Sequence, residues 1–104
     1  MSQAYSDHFT ANALDDIATE RRRQITAEGW SPQHDDAHTT GELALAAGCY
    51  AIGSQLDGER DRVFTRYWPW HKLWWKPGNA RRMLVKAGAL IVAEIERLDR
   101  AAAK

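Results

Sequence analysis

The sequence predicts a mainly α domain, a compact three-helix fold with long aromatic-rich loops. Three observations carry that expectation. Three segments repeat apolar residues at helical spacings of three and four. No alternating strand pattern competes, although "DRVFTRYW" has the composition of a short extended piece. The joining segments are punctuated by Gly, Pro and Asn, notably "EGWSP" and "KPGN".

The elements follow in order. The chain reads as a single domain, 1–104, whose residues 1 to about 11 form a flexible arm, polar and acidic. From Leu14, helical spacing puts Leu14, Ile17, Ala18, Arg21 and Ile25 on one stripe, with Gly29 as the stop. "WSPQHDDAH" reads as a loop broken by Ser-Pro. A second helix starts near Thr39, because Thr39 and Glu42 have capping-box spacing, and places Leu43, Ala46, Ala47 and Tyr50 on one side. "SQLDGERDRVFTRY" reads as a polar loop leading into the aromatic block. The last helix, Ala80 to Ala101, sets Leu84, Ala87, Gly88, Ile91, Ile95 and Leu98 at the spacing of a buried face. Its Ala87, Gly88 and Ala89 allow another helix to come close. At 104 residues the core is modest, so burial between copies would help, and a homo-oligomer, foremost a dimer, is expected.

Composition narrows the partners. Fourteen acidic and fourteen basic residues cancel, so no global field draws the chain to nucleic acid or to an anionic membrane. Any anion site must be local. No apolar run approaches the ~20 residues of a membrane helix, and no signal peptide is visible at the start. The single cysteine, Cys49, excludes an internal disulfide and fits a reducing cytoplasm. On the small-residue side of the second helix it reads as inert packing.

The most unusual stretch is "WPWHKLWWKPGNARR", residues 68–82, with four tryptophans beside a cluster of cations. Several of these rings are expected to cap the open end of a small core, since an indole buries a large area. All four as core fits less well with charged neighbours and with indole N–H groups that need partners. Asn79 is positioned as an N-cap. The first turn after it carries Arg81 and Arg82, with Lys76 before and Lys86 one turn on, where the helix dipole favours anions instead. A phosphate at this helix start, with a base on Trp70, Trp74 or Trp75, would use both halves of the block. The alternative is that the arginines pair with carboxylates from another segment.

"EGWSPQHDDAHTTGE" adds Trp30, His34, Asp35 and His38 as candidate ligand contacts. Its plainer reading is structural, with Asp36 or Thr39 capping a helix and Asp35 paired to an arginine of the first helix. As a metal site it lacks an HExxH pattern or a second ligand cluster, so no metal and no cofactor are expected. Glu96 and Asp99 form an ExxD pair similar to the magnesium-binding helices of all-α nucleoside triphosphate pyrophosphohydrolases. That family needs a partner ExxE pair, and here Glu20 is followed by Arg21, Arg22 and Arg23. No Gly-rich phosphate loop or nucleophile elbow appears.

"ERRRQITAEGWSPQHDDAHTTGELALAAGCYA" together with "WPWHKLWWKP" and "RRMLVKAGALIVAEIERLDR" resembles a family of small phage and prophage proteins. The likeness covers nearly the whole chain after residue 15. It implies an accessory role in the infected cell, in nucleotide metabolism or counter-defence. A weaker likeness, through "AEGW" followed by acidic and histidine residues, is to the ryanodine-receptor repeat domain, a class associated with nucleotide-like ligands.

Three readings follow. The foremost is a binding module that holds a nucleotide-derived molecule, such as a cyclic nucleotide or cyclic ADP-ribose relative used as a host immune signal. The others are a metal-dependent nucleotide pyrophosphohydrolase, and an inhibitor that binds a host protein through its tryptophan patch.

Overall fold

The structure, a computed structural model, describes residues 3–104. It is mainly α, with no strand among the described residues. Three long helices fall where the spacing predicts them, and two short ones fall in segments that read as loops. No helix among the described residues is long and apolar enough to cross a membrane.

Helix α1 spans Gln3–Thr26. Residues 3–11, expected as a loose arm, are therefore helical, and residues 1 and 2 lie outside the described residues. The expected stop holds: Gly29 takes a left-handed φ of 76°, and the Trp30 amide folds back to donate to the Gln24 carbonyl. The buried face of α1 is polar, formed by Glu20, Arg21 and Gln24. Of the expected stripe only Arg21 is buried, while Leu14 and Ala18 remain exposed.

Helix α2, Pro32–Asp36, replaces the expected loop. The Ser-Pro pair that reads as a break is its start. The Ser31 hydroxyl accepts from the His34 amide, and Pro32 occupies the first helical position, where a missing N–H costs nothing.

Helix α3 spans Glu42–Gln55 and begins later than the Thr39 capping box predicts. Gly41, at φ 89°, precedes it, and the Glu42 carboxylate instead accepts from the amide and hydroxyl of Thr40, both at 2.8 Å. Leu43, Ala46, Ala47 and Tyr50 are buried as expected. Cys49 is buried too, its thiol donating to the Val63 carbonyl. Burial pushes that thiol up to about 11, so it stays protonated at neutral pH.

Helix α4, Arg60–Tyr67, forms where a polar loop or a short extended piece is expected. Val63 is its buried residue, and the Arg60 guanidinium ties it to the Gly53 carbonyl at the end of α3. β-Branched and aromatic residues give this segment a strand-like composition, but one buried position per two turns suffices for a helix lying on α3.

Helix α5, Ala80–Ala102, starts as predicted, with the Asn79 side chain accepting from the Arg82 amide at 2.8 Å. Its burial differs from expectation. The face against α3 carries Met83, Ala87, Leu90 and Ala93. Leu84, Ile91, Ile95 and Leu98, read as core, are exposed instead. The close approach expected at the small residues is used within the chain: a β-carbon on Gly88 would lie 2.8 Å from Ile17 Cδ1, where α1 crosses α5.

Candidate functional site

The tryptophans divide between core and cleft. Trp30 belongs to the core cluster, and Trp68, Trp70 and Trp75 pack against it half-buried. Trp75 lies 4.9 Å from Tyr50, 5.0 Å from Trp68 and 6.0 Å from Phe64, which makes it a core-capping ring and not a ligand platform. Only Trp74 of the four is exposed.

Tyr50, on α3, fixes the turn between these rings. Its hydroxyl donates to the Trp74 carbonyl at 3.3 Å and accepts from the Lys76 amide at 3.1 Å. Both backbone groups would otherwise lack a regular partner, so one phenol anchors the WWKP turn on the helical body. His71 closes the turn's other end, with Nδ1 accepting from the Leu73 amide and its carbonyl accepting from the Trp68 indole.

This anchoring builds a cleft of about 220 Å3 lined by Trp30, His34, His38, Trp70, His71 and Trp74. Trp30 contacts Trp70 at 5.3 Å and Trp74 at 5.7 Å between ring centroids, each tilted by about 50°. His38 stacks obliquely on Trp70 at 5.2 Å and meets His34 edge to face at 4.8 Å. Two polar atoms of these rings, His38 Nε2 and Trp70 Nε1, are buried without a hydrogen-bond partner in the protein. The cleft is thus walled by six aromatic rings and contains no carboxylate.

Asp35 sits behind the cleft and not in it. It is fully buried and accepts from Arg21 Nη2 at 2.7 Å, as the structural reading of the loop predicts. Arg21 also donates to Glu96 at 3.1 Å and to the Trp30 carbonyl at 3.5 Å. This one guanidinium ties α1, α2, α5 and the Trp30 backbone together, which sets where His34 and His38 stand. Asp36 pairs with Arg100 of α5 at 2.8 Å, and that contact holds its carboxyl below the ordinary range.

The cations sit beside the cleft, each already holding an oxygen. Lys76 pairs with Glu28 at 3.3 Å while its Nζ lies 5.7 Å from the Trp74 ring. Lys86 donates to the Lys76 carbonyl at 2.8 Å, and burial lowers its ammonium below the ordinary lysine value. Arg81 pairs with Asp16 at 2.7 Å, and Arg82 with the buried Glu20. The alternative reading of the arginines, partners from another segment, is therefore the one observed, and both arginines keep exposed surface along a groove at the helix start.

Sequence reasoning missed the group that joins these features: Glu20, Arg23 and Glu28 on and after α1. Arg23 holds both oxygens of Glu20 at 2.9 Å and one of Glu28 at 2.9 Å. Burial pushes the Glu20 carboxyl up, but hydrogen bonds from Arg23 and Arg82 outweigh it and keep it ionised. Glu28 is treated likewise by Arg23 and Lys76. A narrow recess lined by Glu20, Arg23, Glu28, Trp74 and Lys76 shares Trp74 with the aromatic cleft, and Glu20 and Arg23 with a charged groove of about 400 Å3 at Asp16, Arg81 and Arg82. Along this band five cations face three carboxylates, a local surplus of positive charge on a chain that is neutral overall. Only the run "ERRR" signalled it in the sequence, and that run reads equally as a solvated face.

The ExxD pair is not assembled into a carboxylate site. Glu96 is held by Arg21, and Asp99 is exposed. Among the described residues no group of three or more His, Cys, Asp or Glu side chains is placed to hold a metal ion. No family model, curated protein or solved structure matches the chain.

Proposed function

We propose that this protein is a non-catalytic binding module for a nucleotide-derived small molecule. Its planar base lies among Trp30, Trp70 and Trp74, and its anionic part runs along the adjoining positive band. The observation that carries this reading is the cleft itself, with three indoles and three imidazoles around about 220 Å3. Pockets for whole drug-sized ligands measure roughly 300–1,000 Å3, so this one suits a single heterocycle with the rest of the ligand outside. Aromatic walls without a carboxylate favour a flat ring over a phosphate. Lys76, exposed and lying over Trp74, is the nearest cation for the ligand's anionic group.

The phage-family resemblance gives such a module its setting. It would act as an accessory protein that sequesters a host signalling nucleotide, of the cyclic nucleotide or cyclic ADP-ribose type, without breaking it.

Calorimetric titration of mono-, di- and cyclic nucleotides tests the reading. One of these is expected to bind in the micromolar range, and Trp74→Ala to weaken it by about 1–3 kcal/mol through loss of a stacking face. If none binds tighter than millimolar, or if Trp74→Ala binds as the wild type does, the reading is wrong.

A further inference from the structure

The second apolar face of α5 is the strongest feature that the cleft leaves unexplained. Leu84, Gly88, Ile91, Ile95, Leu98 and Ala102 follow one another at spacings of four, three, four, three and four. That is the heptad spacing of a seam that meets another helix along its length. Within the chain only its middle is covered, where Ile17 of α1 fills the notch at Gly88. Leu84 is 45% exposed, Ile91 49%, Ile95 52% and Leu98 51%, while Leu14, one turn before Ile17 on α1, is 60% exposed.

The shape of the molecule agrees. Helices of 24 and 23 residues cross within extents of 43 × 41 × 23 Å, a slab about two helices thick. Its radius of gyration, 14.6 Å, exceeds the roughly 13 Å of a compact domain of this size. No described side chain from residue 7 to residue 16 is buried. Helix α5 thus has a packed inner face and an apolar outer one, and α1 adds the exposed Leu14.

We infer that a second copy of this chain covers that outer face, α1 and α5 of one copy against α1 and α5 of the other. Three points select a copy over a different partner. The heptad seam matches the periodicity of another such helix. A two-fold contact uses one patch twice, so each copy needs only half of the interface. The five side chains expose on the order of 500 Å2 per copy, near the upper bound for a monomer's largest apolar patch. Doubled, this reaches the roughly 1,000 Å2 that a specific interface must clear. The surface expected to mediate assembly, Ala87 to Ala89, is occupied within the chain, and the stripe expected to be core takes its place.

Analytical ultracentrifugation of the full chain at micromolar concentration tests the inference. The wild type is expected at twice the 11.8 kDa chain mass. Ile91→Glu with Ile95→Glu should raise the dissociation midpoint at least about a hundredfold, because two charges would enter the seam unpaired. Both positions are half-exposed in the single chain, so circular dichroism should show helical content unchanged. If that variant fails to fold, Leu14→Arg on the other helix decides the matter, with the same expected dissociation. Leu45→Glu, on the exposed side of α3, should leave the dimer intact. A monomeric wild type overturns the inference. So does a folded seam variant that stays dimeric, or a dimer lost through Leu45→Glu.

Discussion

Removing the Asp35 carboxylate is the most informative single change in this fold. Arg21 and Asp35 meet at 2.7 Å with side chains 7% and 1% exposed, so neither charge can turn to water when the other is deleted. Breaking a buried pair from one side costs about 3–5 kcal/mol. Arg21 keeps two lesser partners, Glu96 at 3.1 Å, itself about half-exposed, and the Trp30 carbonyl at 3.5 Å. Those residual contacts bring the expected cost of Asp35→Ala down to about 2–4 kcal/mol. For a domain of this length each kcal/mol moves the melting midpoint by about 4–8 °C, so a fall of roughly 8–32 °C is expected. The assay is thermal unfolding followed by circular dichroism, at one fixed protein concentration because self-association would shift the midpoint. Asp36→Ala serves as the comparison. Its partner Arg100 lies at the surface, and exposed pairs contribute about 0–1 kcal/mol. Because Arg21 and Asp35 also set α2 on α1, Asp35→Ala should loosen His34 and His38 and weaken nucleotide binding together with stability. If Asp35→Ala melts within 2–3 °C of wild type, or no lower than Asp36→Ala, the pair does not hold the site as argued.

The two arginines at the start of α5 should behave differently. Arg81→Ala removes an exposed pair with Asp16 and is expected to change stability by less than about 1 kcal/mol. Arg82→Ala leaves the buried Glu20 with Arg23 as its one remaining cation, beside the Gln24 amide, and should cost about 1–3 kcal/mol, so equal denaturant midpoints for the two variants would contradict the ion-pair assignment. Acid should unfold the protein in a defined window. Glu20, Glu28 and Glu42 are all held below the ordinary value of 4.5, and Glu42 falls to about 2 through its own amide and Thr40. Depressed carboxyls contribute stability that is complete above 4.5 and disappears as pH falls from there towards 2. A melting temperature unchanged between pH 6 and pH 3 would refute this.

Local chemistry was legible in the sequence wherever a residue acts on its own neighbours. Gly29 ends α1 because a left-handed turn needs no β-carbon, and Asn79 caps α5 because a short side chain reaches back to the Arg82 amide. The inner face of α3 was legible because Leu43, Ala46, Ala47 and Tyr50 share one stripe, although Leu45 and Ile52 give its exposed side apolar residues too. Ser31 and Pro32 also carried their helix start in plain view, although the Ser-Pro pair reads as a break.

Tertiary structure decided what periodicity leaves open. Two stripes run along α5, one through Met83, Ala87 and Leu90, the other through Leu84, Ile91 and Leu98, and both have helical spacing. Spacing defines a face but not what meets it. The small residues of α3 admit Met83 beside Gly53 and thereby select the first stripe, which leaves the second outside. The same holds for the charges. Nothing local assigns Arg82 to Glu20, 62 residues away, or selects Arg21 among the arginines of α1 as the one that Asp35 takes, because ion pairs form between elements only after packing has removed water from between them. The tryptophans divide on that principle too. Trp75 was claimed by Tyr50 and Phe64 of neighbouring helices, and Trp74, with no helix above it, was left to wall the cleft.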